Sequence, residues 1–315
     1  MIKLIDSNVE SKAAIEAFIN RVKSNGNLQF STSGTTGTPK HITHSVDTVT
    51  KYVKEDLESN VWGLTYDHTK IAGSQVIVQA LKNNNTLVNL YRKSTDEVYS
   101  LIDEHKITHL SGTPTFYRLN FRDEIFTSVK QVTLGGEAAT EDVIKLVTRI
   151  FPNANITNIY ALTEFGSVLA SSSHLFKLSD RTKKFIKLTD TVNVFFEGKW
   201  HDTGDVIEKL DDGYFRIVGR KSLMINVGGQ KVNPYLIEDK LNSFDGITSS
   251  RVYGKQNSLT GNIVAADIVL SNDINIKEIK RALRDTLKPY EVPRIINEVD
   301  SIEINSTGKI SRRNG

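Results

Sequence analysis

Residues 86–110 read TLVNLYRKSTDEVYSLIDEHKITHL, and this stretch decides the fold class. Residues 86–91 are mainly apolar and precede a polar cluster, which is typical of a short buried strand. Ser94 is a preferred type of helix N-cap residue, so we predict a helix over residues 95–106. Residues 107–110 form the next apolar run and predict a second strand. A strand, a helix and a strand in this order favour a parallel sheet with helices packed against it.

The alternation continues on both sides of this stretch. Ile15, Ile19 and Val22 recur at helical spacing, and Ser7 with Glu10 three residues later predicts a capping box before them. Further helices are predicted at about residues 45–59, 72–82 and 141–151, and further strands at residues 28–31, 129–134 and 156–160. The sequence therefore predicts the α/β class with a doubly wound, mostly parallel sheet.

The pattern changes near residue 180. Two β-hairpins are predicted, over residues 192–200 and 205–218. Beyond Gly219 the predicted strands and helices mix in an α+β pattern. We therefore predict a core domain over residues 1–220 and a smaller C-terminal α+β domain over residues 221–315.

The composition excludes several classes of protein. The chain has 315 residues, with 40 Lys and Arg against 37 Asp and Glu, and its formal charge of +3 is too balanced to indicate nucleic acid or an anionic membrane as partner. The absence of cysteine excludes disulfides, thiolate nucleophiles and cysteine-ligated metal sites. No leader-like apolar segment follows Lys3 and no run of about 18 apolar residues occurs, so we expect a cytoplasmic protein without a membrane span.

Residues 32–40 read TSGTTGTPK and are the first candidate for chemistry. Two glycines let backbone N–H groups point to one place, hydroxyls add donors, and Lys40 adds a positive charge, which together suit a phosphate group. A polar connecting loop explains the same composition about equally well. The segment is not a Walker A motif, because Pro39 stands where that motif needs its second glycine.

Several other segments follow predicted strands or lie near the predicted domain boundary. They are Gly135-Gly136-Glu137, Tyr160 with Thr163 and Glu164, Asp205, Arg220, Gly228-Gly229 and Lys309. The carboxyl ends of strands form the ligand crevice of doubly wound folds, so Tyr160 could stack on a base, Thr163 could bind phosphate and Glu164 could hold Mg²⁺. Asp205 could accept hydrogen bonds from two ribose hydroxyls. Each residue taken alone is explained at least as well by a core, hairpin or surface position.

In combination and in this order, the segments resemble the motifs of the acyl- and aryl-adenylate-forming ligases, the superfamily of acyl-CoA synthetases, peptide-synthetase adenylation domains and luciferases. The family's phosphate loop is similar to STSGTTGTPK, its YGxTE motif to NIYALTEFG, with Ala161 in place of glycine, and its ribose aspartate motif to DTGD. Its hinge and following loop are similar to GYFRIVGRKSLMINVGGQKVNPYLIE, and its C-terminal lysine motif to NSTGKISRR. The resemblance covers residues 28–313. A weaker likeness in residues 69–88 and 108–119 points to the o-succinylbenzoate–CoA ligase branch.

The resemblance implies a role for each matching residue. The pyrophosphate end of ATP would be bound by Thr32, Ser33, Gly34, Thr35, Thr36 and Lys40. The adenine would be lined by Gly136, Glu137 and Tyr160, and the ribose bound by Asp205 and Arg220. The catalytic residues would be Thr163 on the α-phosphate, Glu164 on Mg²⁺, and Lys309 on the charge that develops during adenylation. The acid and the thiol would meet Lys70, Gly73, Gly135, Ala161, Gly228 and Gly229, with residues 113–115 also near the acid.

The reaction that the resemblance implies has two steps. A carboxylate attacks the α-phosphate of ATP, which gives an acyl-adenylate and pyrophosphate. The thiol of CoA or of a carrier-protein phosphopantetheine then displaces AMP. Between the steps the mobile C-terminal domain rotates and exchanges Lys309 for the Gly228-Gly229 loop. ATP and Mg²⁺ are the implied cofactors, a carboxylic acid is the substrate, and an acyl carrier protein is a candidate partner.

Departures from the family pattern leave alternatives open. Only about 30 residues precede the phosphate loop, so we expect a short form that lacks most of the family's N-terminal subdomain, with a second copy or a partner subunit covering the exposed surface. The family's hinge residue, usually Asp or Lys, aligns with Ser222, and a histidine at the acyl gate aligns with Lys70 close to His68. One alternative is adenylation with an amine or hydroxyl acceptor. Another is a non-catalytic nucleotide-binding module or one half of a split enzyme.

Overall fold

The computed structural model describes residues 2–32, 40–50, 53, 55, 59–162, 165–271, 274–305 and 308–311. The chain divides into two compact units. The first contains Met1–Ser173 and Ser306–Lys309, and the second contains His174–Asn305 and Ile310–Gly315.

Strands and helices alternate through most of the first unit. Its described strands are β1 (Lys3–Ile5), β2 (Leu28–Thr32), β3 (Lys40–His44), β4 (Val61–Leu64), β5 (Thr86–Asn89), β6 (His109–Gly112), β7 (Gln131–Gly135), β8 (Asn155–Leu162) and β9 (Gly166–Ser171). Its described α-helices are α1 (Val9–Lys23), α2 (Val46–Thr50), α3 (Ile71–Lys82), α4 (Thr95–His105), α5 (Pro114–Asn120) and α6 (Glu141–Ile150). The main sheet has the order β1-β5-β4-β6-β7-β8-β9, and its pairs are parallel except for the antiparallel pair β8–β9. The predicted mostly parallel sheet is therefore confirmed.

Helices cover both faces of this sheet. Successive residues of a strand point to opposite faces, as Leu87 and Val88 of β5 do. Leu87 packs in one cluster with Ile19 of α1 and Ile77 of α3, whereas Val88 packs in another cluster with Ile102 of α4. The two clusters lie on opposite faces of the sheet, which is doubly wound as predicted.

The helix caps agree with the sequence in one place and differ in another. Ser94 forms the N-terminal capping box of α4, in which its side chain accepts from the backbone N–H of Glu97 and the Glu97 carboxylate accepts from the backbone N–H of Ser94. The capping box predicted at Ser7 is wrong. Asn8 is the N-cap of α1, and its side-chain oxygen accepts from the backbone N–H of Ser11 over 2.9 Å.

The sequence did not predict β4, although this strand lies between β5 and β6 in the main sheet. Glycine weakens a strand pattern, and β4 has four residues of which one is Gly63. A Cβ atom on Gly63 would lie 2.6 Å from Leu110 Cδ2 and 2.8 Å from Leu90 Cδ1, so two leucines occupy the space that a side chain would need. The helix predicted over residues 45–59 is longer than α2, and part of the remaining stretch lies outside the described residues.

The second unit begins with antiparallel strands and ends with mixed structure. Its described strands are β10 (Phe176–Lys177), β11 (Ile186–Leu188), β12 (Thr191–Phe196), β13 (Lys199–Lys209), β14 (Tyr214–Arg220), β15 (Ile225–Val227), β16 (Gln230–Val232), β17 (Ile247–Asn257), β18 (Gly261–Leu270) and β19 (Ile295–Glu298), and its described α-helices are α7 (Pro234–Asn242) and α8 (Ile276–Thr286). The first five strands form a sheet in the order β10-β14-β13-β12-β11, which contains both predicted hairpins. A β15–β16 hairpin and a β17-β18-β19 sheet follow.

A separate hydrophobic core follows Arg220. It contains Ile225 of β15, Ile237 of α7, Val264 of β18 and Leu283 of α8. The smaller α+β C-terminal region is therefore confirmed. Its boundary at residues 220–221 and its mobility stay predictions. The two compact units divide at another place, between Ser173 and His174. None of the helices in the described part of the chain combines the length and apolar character needed to cross a membrane.

Candidate active site

The carboxyl end of β7 carries the first group of predicted site residues. Gly135 ends this strand, and Gly136 and Glu137 follow it. Gly136 has a φ of +84°, which is a backbone conformation that favours glycine. Glu137 Oε2 accepts a hydrogen bond of 3.1 Å from the backbone N–H of Thr115 in the first turn of α5. Because the acceptor is charged, this hydrogen bond holds the loop after β7 firmly against the start of α5.

Lys309 lies against the same loop. A Cβ atom on Gly136 would lie 3.3 Å from Lys309 Cε and 3.9 Å from Lys309 Nζ. The carbonyl oxygen of the preceding residue, Gly308, accepts a hydrogen bond of 2.7 Å from Thr113 Oγ1. All of these residues belong to the first compact unit. The structure thus brings the predicted catalytic lysine to the loop that was predicted to line the adenine.

A residue that was not predicted from the sequence, Tyr66, lies beside this loop. Tyr66 follows β4, is 5% exposed, and its hydroxyl lies 3.9 Å from the Cβ position of Gly135. Burial raises the pKa of Tyr66, a hydrogen bond with Ser111 opposes the rise, and the charge of Glu137 adds to it. The phenol is therefore protonated at neutral pH and can donate a hydrogen bond. Tyr66 could have been recognised by its position shortly after a strand, but the strand β4 was not predicted.

The predicted base-stacking and metal residues belong to β8 and the residues after it. Tyr160 is 9% exposed, and the next residue, Ala161, is exposed. Thr163 and Glu164 lie outside the described residues, so their roles on the α-phosphate and Mg²⁺ stay predictions. Mg²⁺ is commonly held by one or two carboxylates together with substrate phosphates, so a single glutamate suits that role. Among the residues that the structure describes, no group of three or more His, Asp or Glu side chains is arranged to hold a metal ion.

The predicted phosphate loop connects β2 and β3. These strands are antiparallel, and Thr32 pairs with Lys40 at the base of the loop. Residues 33–36 lie outside the described part of the chain, and Thr32 and Lys40 are described only by their backbone pairing. The binding of phosphate by this loop stays a prediction.

Gly73 and Gly135, which were predicted to contact the substrate, differ in their surroundings. Lys70 is the N-cap residue of α3, and Gly73 lies in its first turn. A Cβ atom on Gly73 would overlap the carbonyl oxygen of Asp67, whereas the nearest atoms to a Cβ on Gly135 lie 3.9 Å away. The lack of a side chain at Gly73 thus permits close packing of α3 on the preceding turn and leaves no open space. Gly135 is the glycine with room beside it, and the contact of both residues with substrate stays a prediction.

Asp205 and Arg220 form an ion pair in the second unit. They are register partners on β13 and β14, and Arg220 Nε donates to Asp205 Oδ1 over 2.8 Å. The Asp205 side chain is 8% exposed and the Arg220 side chain 41%. A carboxylate beside a guanidinium offers both acceptors and donors, which suits a ribose diol. The structure thus brings the two predicted ribose residues together.

The backbone before Asp205 is fixed by side-chain hydrogen bonds. Asp202 Oδ1 accepts from Thr191 Oγ1 over 2.7 Å and from the backbone N–H of Gly204 over 2.8 Å. These two hydrogen bonds hold the pKa of Asp202 below its usual range. Thr203 Oγ1 accepts from the backbone N–H of Asp205 over 3.1 Å. The turn that leads to the predicted ribose residue is therefore held in one conformation.

The two glycines predicted to approach the thiol form the tip of the β15–β16 hairpin. Gly228 and Gly229 have φ values of +56° and +88°, and a two-residue hairpin turn with positive φ at both positions favours glycine. The backbone N–H of Gly228 donates to the carbonyl oxygen of Thr260 over 2.9 Å, and that of Gly229 donates to Asn226 Oδ1 over 3.1 Å. The structure shows a defined turn here, and its contact with a thiol stays a prediction.

The fold is that of the adenylate-forming enzymes. The chain is 19% identical to the o-succinylbenzoate CoA synthetase MenE from Bacillus subtilis, solved with the acyl-adenylate intermediate OSB-AMP, with a TM-score of 0.68 over 90% of this chain and 67% of that one. It is 20% identical to ATP-bound MatB from Rhodopseudomonas palustris, with a TM-score of 0.71 over 90% of this chain and 66% of that one. At this level of identity the similarity shows the fold alone.

The chain belongs to the AMP-binding enzyme family. The family model matches residues 27–189, and the model of the AMP-binding enzyme C-terminal domain matches residues 236–309. The putative long chain fatty acid-CoA ligase VraA of Staphylococcus haemolyticus is 24% identical over 89% of this chain and 68% of its own length. The 2-succinylbenzoate–CoA ligase of Staphylococcus epidermidis is 25% identical over 90% of this chain and 68% of its own length. The chain thus spans about two thirds of these relatives, and the resemblance to the adenylate-forming ligases is confirmed.

Proposed function

We propose that the protein activates a carboxylic acid with ATP, releases pyrophosphate and transfers the acyl group to a thiol of CoA or phosphopantetheine. The observation that carries the proposal is the position of Lys309 against Gly136 in a member of the AMP-binding enzyme family. The similarity to two acid–CoA ligases supports CoA as the acceptor.

In the first step a carboxylate oxygen of the acid attacks the α-phosphorus of ATP. The bond from that phosphorus to the bridging oxygen breaks, and pyrophosphate leaves with the electron pair. The protein's task in phosphoryl and nucleotidyl transfer is mainly to position the reactants and to neutralise charge. We propose that the ammonium group of Lys309 neutralises charge on the α-phosphate. Asp205 and Arg220 would bind the ribose, and the loop between β2 and β3 would bind the leaving pyrophosphate. Mg²⁺ held by Glu164 would neutralise further phosphate charge when it is bound.

In the second step the thiol gives up its proton to the solvent, and its sulfur attacks the acyl carbonyl carbon. The bond from this carbon to the phosphate oxygen breaks, and AMP leaves with the electron pair. The chain contains no cysteine, so the sulfur comes from a substrate and not from the protein. We propose that the thiol approaches along the Gly228-Gly229 turn. Hydrogen bonds to Thr260 and Asn226 hold this turn in place.

The names of the relatives include both a succinylbenzoate and a long-chain fatty acid, so both aryl and alkyl acids suit a first panel. An acyl carrier protein, a second copy of the chain or another subunit as partner stays a prediction from the sequence. Cytoplasmic localisation stays a prediction as well.

The test is release of pyrophosphate from ATP and Mg²⁺ across a panel of aryl and alkyl carboxylic acids. Hydroxylamine is added to trap the acyl-adenylate as a hydroxamate. We expect release that depends on one class of acid, and expect added CoA to replace hydroxylamine as the acceptor. ATP binding without release for any acid would instead favour a non-catalytic nucleotide-binding module.

A further inference from the structure

Thr113 links the start of α5 to the loop that carries Lys309. It lies between β6 and α5 and is 1% exposed. Its Oγ1 accepts from the backbone N–H of Phe116 over 3.0 Å, which makes it the N-cap of α5. The same hydroxyl donates to the carbonyl oxygen of Gly308 over 2.7 Å. A hydroxyl has one hydrogen to donate, and Thr113 uses it on the residue next to Lys309.

The backbone conformation at Gly308 favours glycine, and Thr113 lies within van der Waals distance of it. Gly308 has a φ of +73°, which favours glycine, and a Cβ atom on it would lie 3.5 Å from Thr113 Cγ2 and 3.6 Å from Thr113 Oγ1. The next residue, Lys309, packs on Gly136. Thr113 follows β6 and Gly136 follows β7, and these strands are parallel neighbours. The residues after two adjacent strands therefore contact the same short segment, Gly308-Lys309. The Thr113 hydroxyl anchors the backbone of this segment, and Gly136 receives the lysine side chain.

Gly308 and Lys309 lie in a stretch of the chain that belongs to a different compact unit from its neighbours. Residues 306–309 belong to the first compact unit, whereas their neighbours on both sides, Asn305 and Ile310, belong to the second. Ile304 and Ile310, which flank these residues in the chain, pair as an isolated β-bridge. Because Lys309 follows Gly308 directly, a contact at the Gly308 carbonyl restricts where the backbone of the lysine can lie. The buried Thr113 hydroxyl supplies such a contact through a backbone carbonyl.

We propose that Thr113 is a positioning residue for acid adenylation, because it holds the Gly308 carbonyl and thereby fixes Lys309 at the Gly136 loop. The inference rests on the proposed function, since it concerns the step assigned to Lys309. It predicts that the hydroxyl is needed for formation of the acyl-adenylate and not for the attack of the thiol on it. It also predicts that the hydroxyl matters through its hydrogen and not through contact with the acid.

The test compares Thr113→Val, which keeps the shape and removes the hydroxyl, with Thr113→Ser, which keeps the hydroxyl. Adenylation is measured as acid-dependent pyrophosphate release, and the thiol step is measured by supplying the acyl-adenylate and CoA. Thr113→Val removes the hydrogen bond to Gly308 and the cap hydrogen bond from Phe116. We expect it to lower kcat for adenylation by about five- to tenfold, as suits loss of the one hydrogen bond to Gly308, with KM for the acid and the rate of the thiol step unchanged. Thr113→Ser should stay within about twofold of the unchanged protein in both steps.

A matched control separates the anchor from the helix cap. Thr140 is the N-cap of α6 and accepts from the backbone N–H of Val143, and within the described part of the chain it has no hydrogen bond to Gly308 or Lys309. Thr140→Val should therefore leave both steps unchanged. Equal losses of both steps in Thr113→Val, or a raised KM for the acid alone, would overturn the inference. So would adenylation by Thr113→Val at the normal rate.

A second readout does not depend on activity. Trypsin cuts after lysine, so the rate of cleavage after Lys309 reports how firmly the loop is held. We expect Thr113→Val to raise this rate several-fold over Thr113→Ser, and an unchanged rate would contradict the anchor. If the unchanged protein adenylates no acid, the proposed function fails, while the cleavage rates still decide whether Thr113 holds the loop.

Discussion

Arg220 Nε donates to Asp205 Oδ1 over 2.8 Å between register partners on β13 and β14. A second pair with the same chemistry, Arg216 and Glu208, joins the same two strands over 2.7 Å. The two carboxylates differ in their surroundings, since the Asp205 side chain is 8% exposed and the Glu208 side chain 43%. One strand pair thus contains a predicted ribose site and a matched ion pair outside it.

Replacement of the Asp205 carboxylate, which is predicted to bind the ribose, should weaken nucleotide binding. Asp205→Asn keeps the shape of the side chain and removes its charge. A hydrogen bond to a charged group contributes about 1.5–3 kcal/mol, so we expect the Kd for ATP to rise by roughly ten- to a hundredfold. Isothermal titration calorimetry with ATP measures this change directly.

Glu208→Gln is the control for this experiment. It disturbs an ion pair of similar length on the same strands, so damage to the sheet would appear in both variants. We expect its Kd for ATP to equal that of the unchanged protein. An unchanged affinity in Asp205→Asn would remove Asp205 from the ribose site.

Loss of the Lys309 ammonium group should affect the reaction more than the binding of ATP. Lys309→Ala removes a charge that we assign to the transition state of adenylation, and such a group raises the rate without raising ground-state affinity. We expect pyrophosphate release to fall by about a hundredfold or more, with the Kd for ATP changed by less than about threefold. Stopped-time assays of pyrophosphate and calorimetry measure the two quantities.

Lys280→Ala provides the matched lysine variant for this measurement. Lys280 lies on α8 and donates from Nζ to the carbonyl oxygen of Arg294 over 3.1 Å, and neither residue is among the predicted site residues. Its removal should leave pyrophosphate release unchanged. Near-normal release by Lys309→Ala would mean that another group neutralises the developing charge.

The sequence predicts those helices and strands that have a clear apolar periodicity or a clear helix-capping residue. The unit β5–α4–β6 is an example, because Ser94 and the apolar spacing of α4 mark the helix. In contrast, β4 is four residues long and contains Gly63, which is required by contact with two leucines that are distant in sequence. Packing between distant segments thus decides a strand that local pattern cannot show.

The same limit applies to the candidate site. Motif order brings Asp205 and Arg220 to attention, but their pairing depends on a register shift between Val206 and Ile207 that no spacing rule reveals. Tyr66 was missed because its position follows from β4. Sequence also treats Gly73 and Gly135 alike, and only the surrounding backbone distinguishes a glycine required by packing from one with open space beside it.

The stability of the second unit should depend on pH through Asp267 of β18. Its carboxylate accepts from Arg251 over 2.6 Å, from Asn297 over 2.9 Å and from the Tyr253 hydroxyl over 3.2 Å. Burial alone would raise the pKa of Asp267, but these hydrogen bonds and the Arg251 charge outweigh it and hold the pKa below its usual range. The carboxylate therefore stabilises the fold fully above the unfolded pKa of about 3.9, and this contribution is lost as the pH falls through the lower folded value.

Asp267→Asn tests this dependence. We expect the free energy of unfolding to fall by about 2 kcal/mol at pH 7, with the difference from the unchanged protein shrinking as the pH falls below about 4. Urea unfolding at a series of pH values gives both numbers. Asp180→Asn is the control, because Asp180 and Lys183 form an exposed pair of 2.9 Å whose loss should have no measurable effect. A difference for Asp267→Asn that stays constant down to pH 2 would contradict the role of its charge.

The two glycines predicted to border the acid should respond differently to a methyl group. In Gly73→Ala the Cβ atom would overlap the carbonyl oxygen of Asp67, so α3 must move, and overpacking of this kind costs about 1–3 kcal/mol. In Gly135→Ala the nearest atoms, Ile159 O and the Tyr66 hydroxyl oxygen, lie 3.9 Å away, so the fold accepts the methyl group. We therefore expect Gly73→Ala to lower the free energy of unfolding, and Gly135→Ala to leave it unchanged while raising KM for bulky acids more than for small ones. Unfolding curves and acid-dependent pyrophosphate release measure these effects, and a raised KM in Gly73→Ala without loss of stability would return Gly73 to the acid pocket.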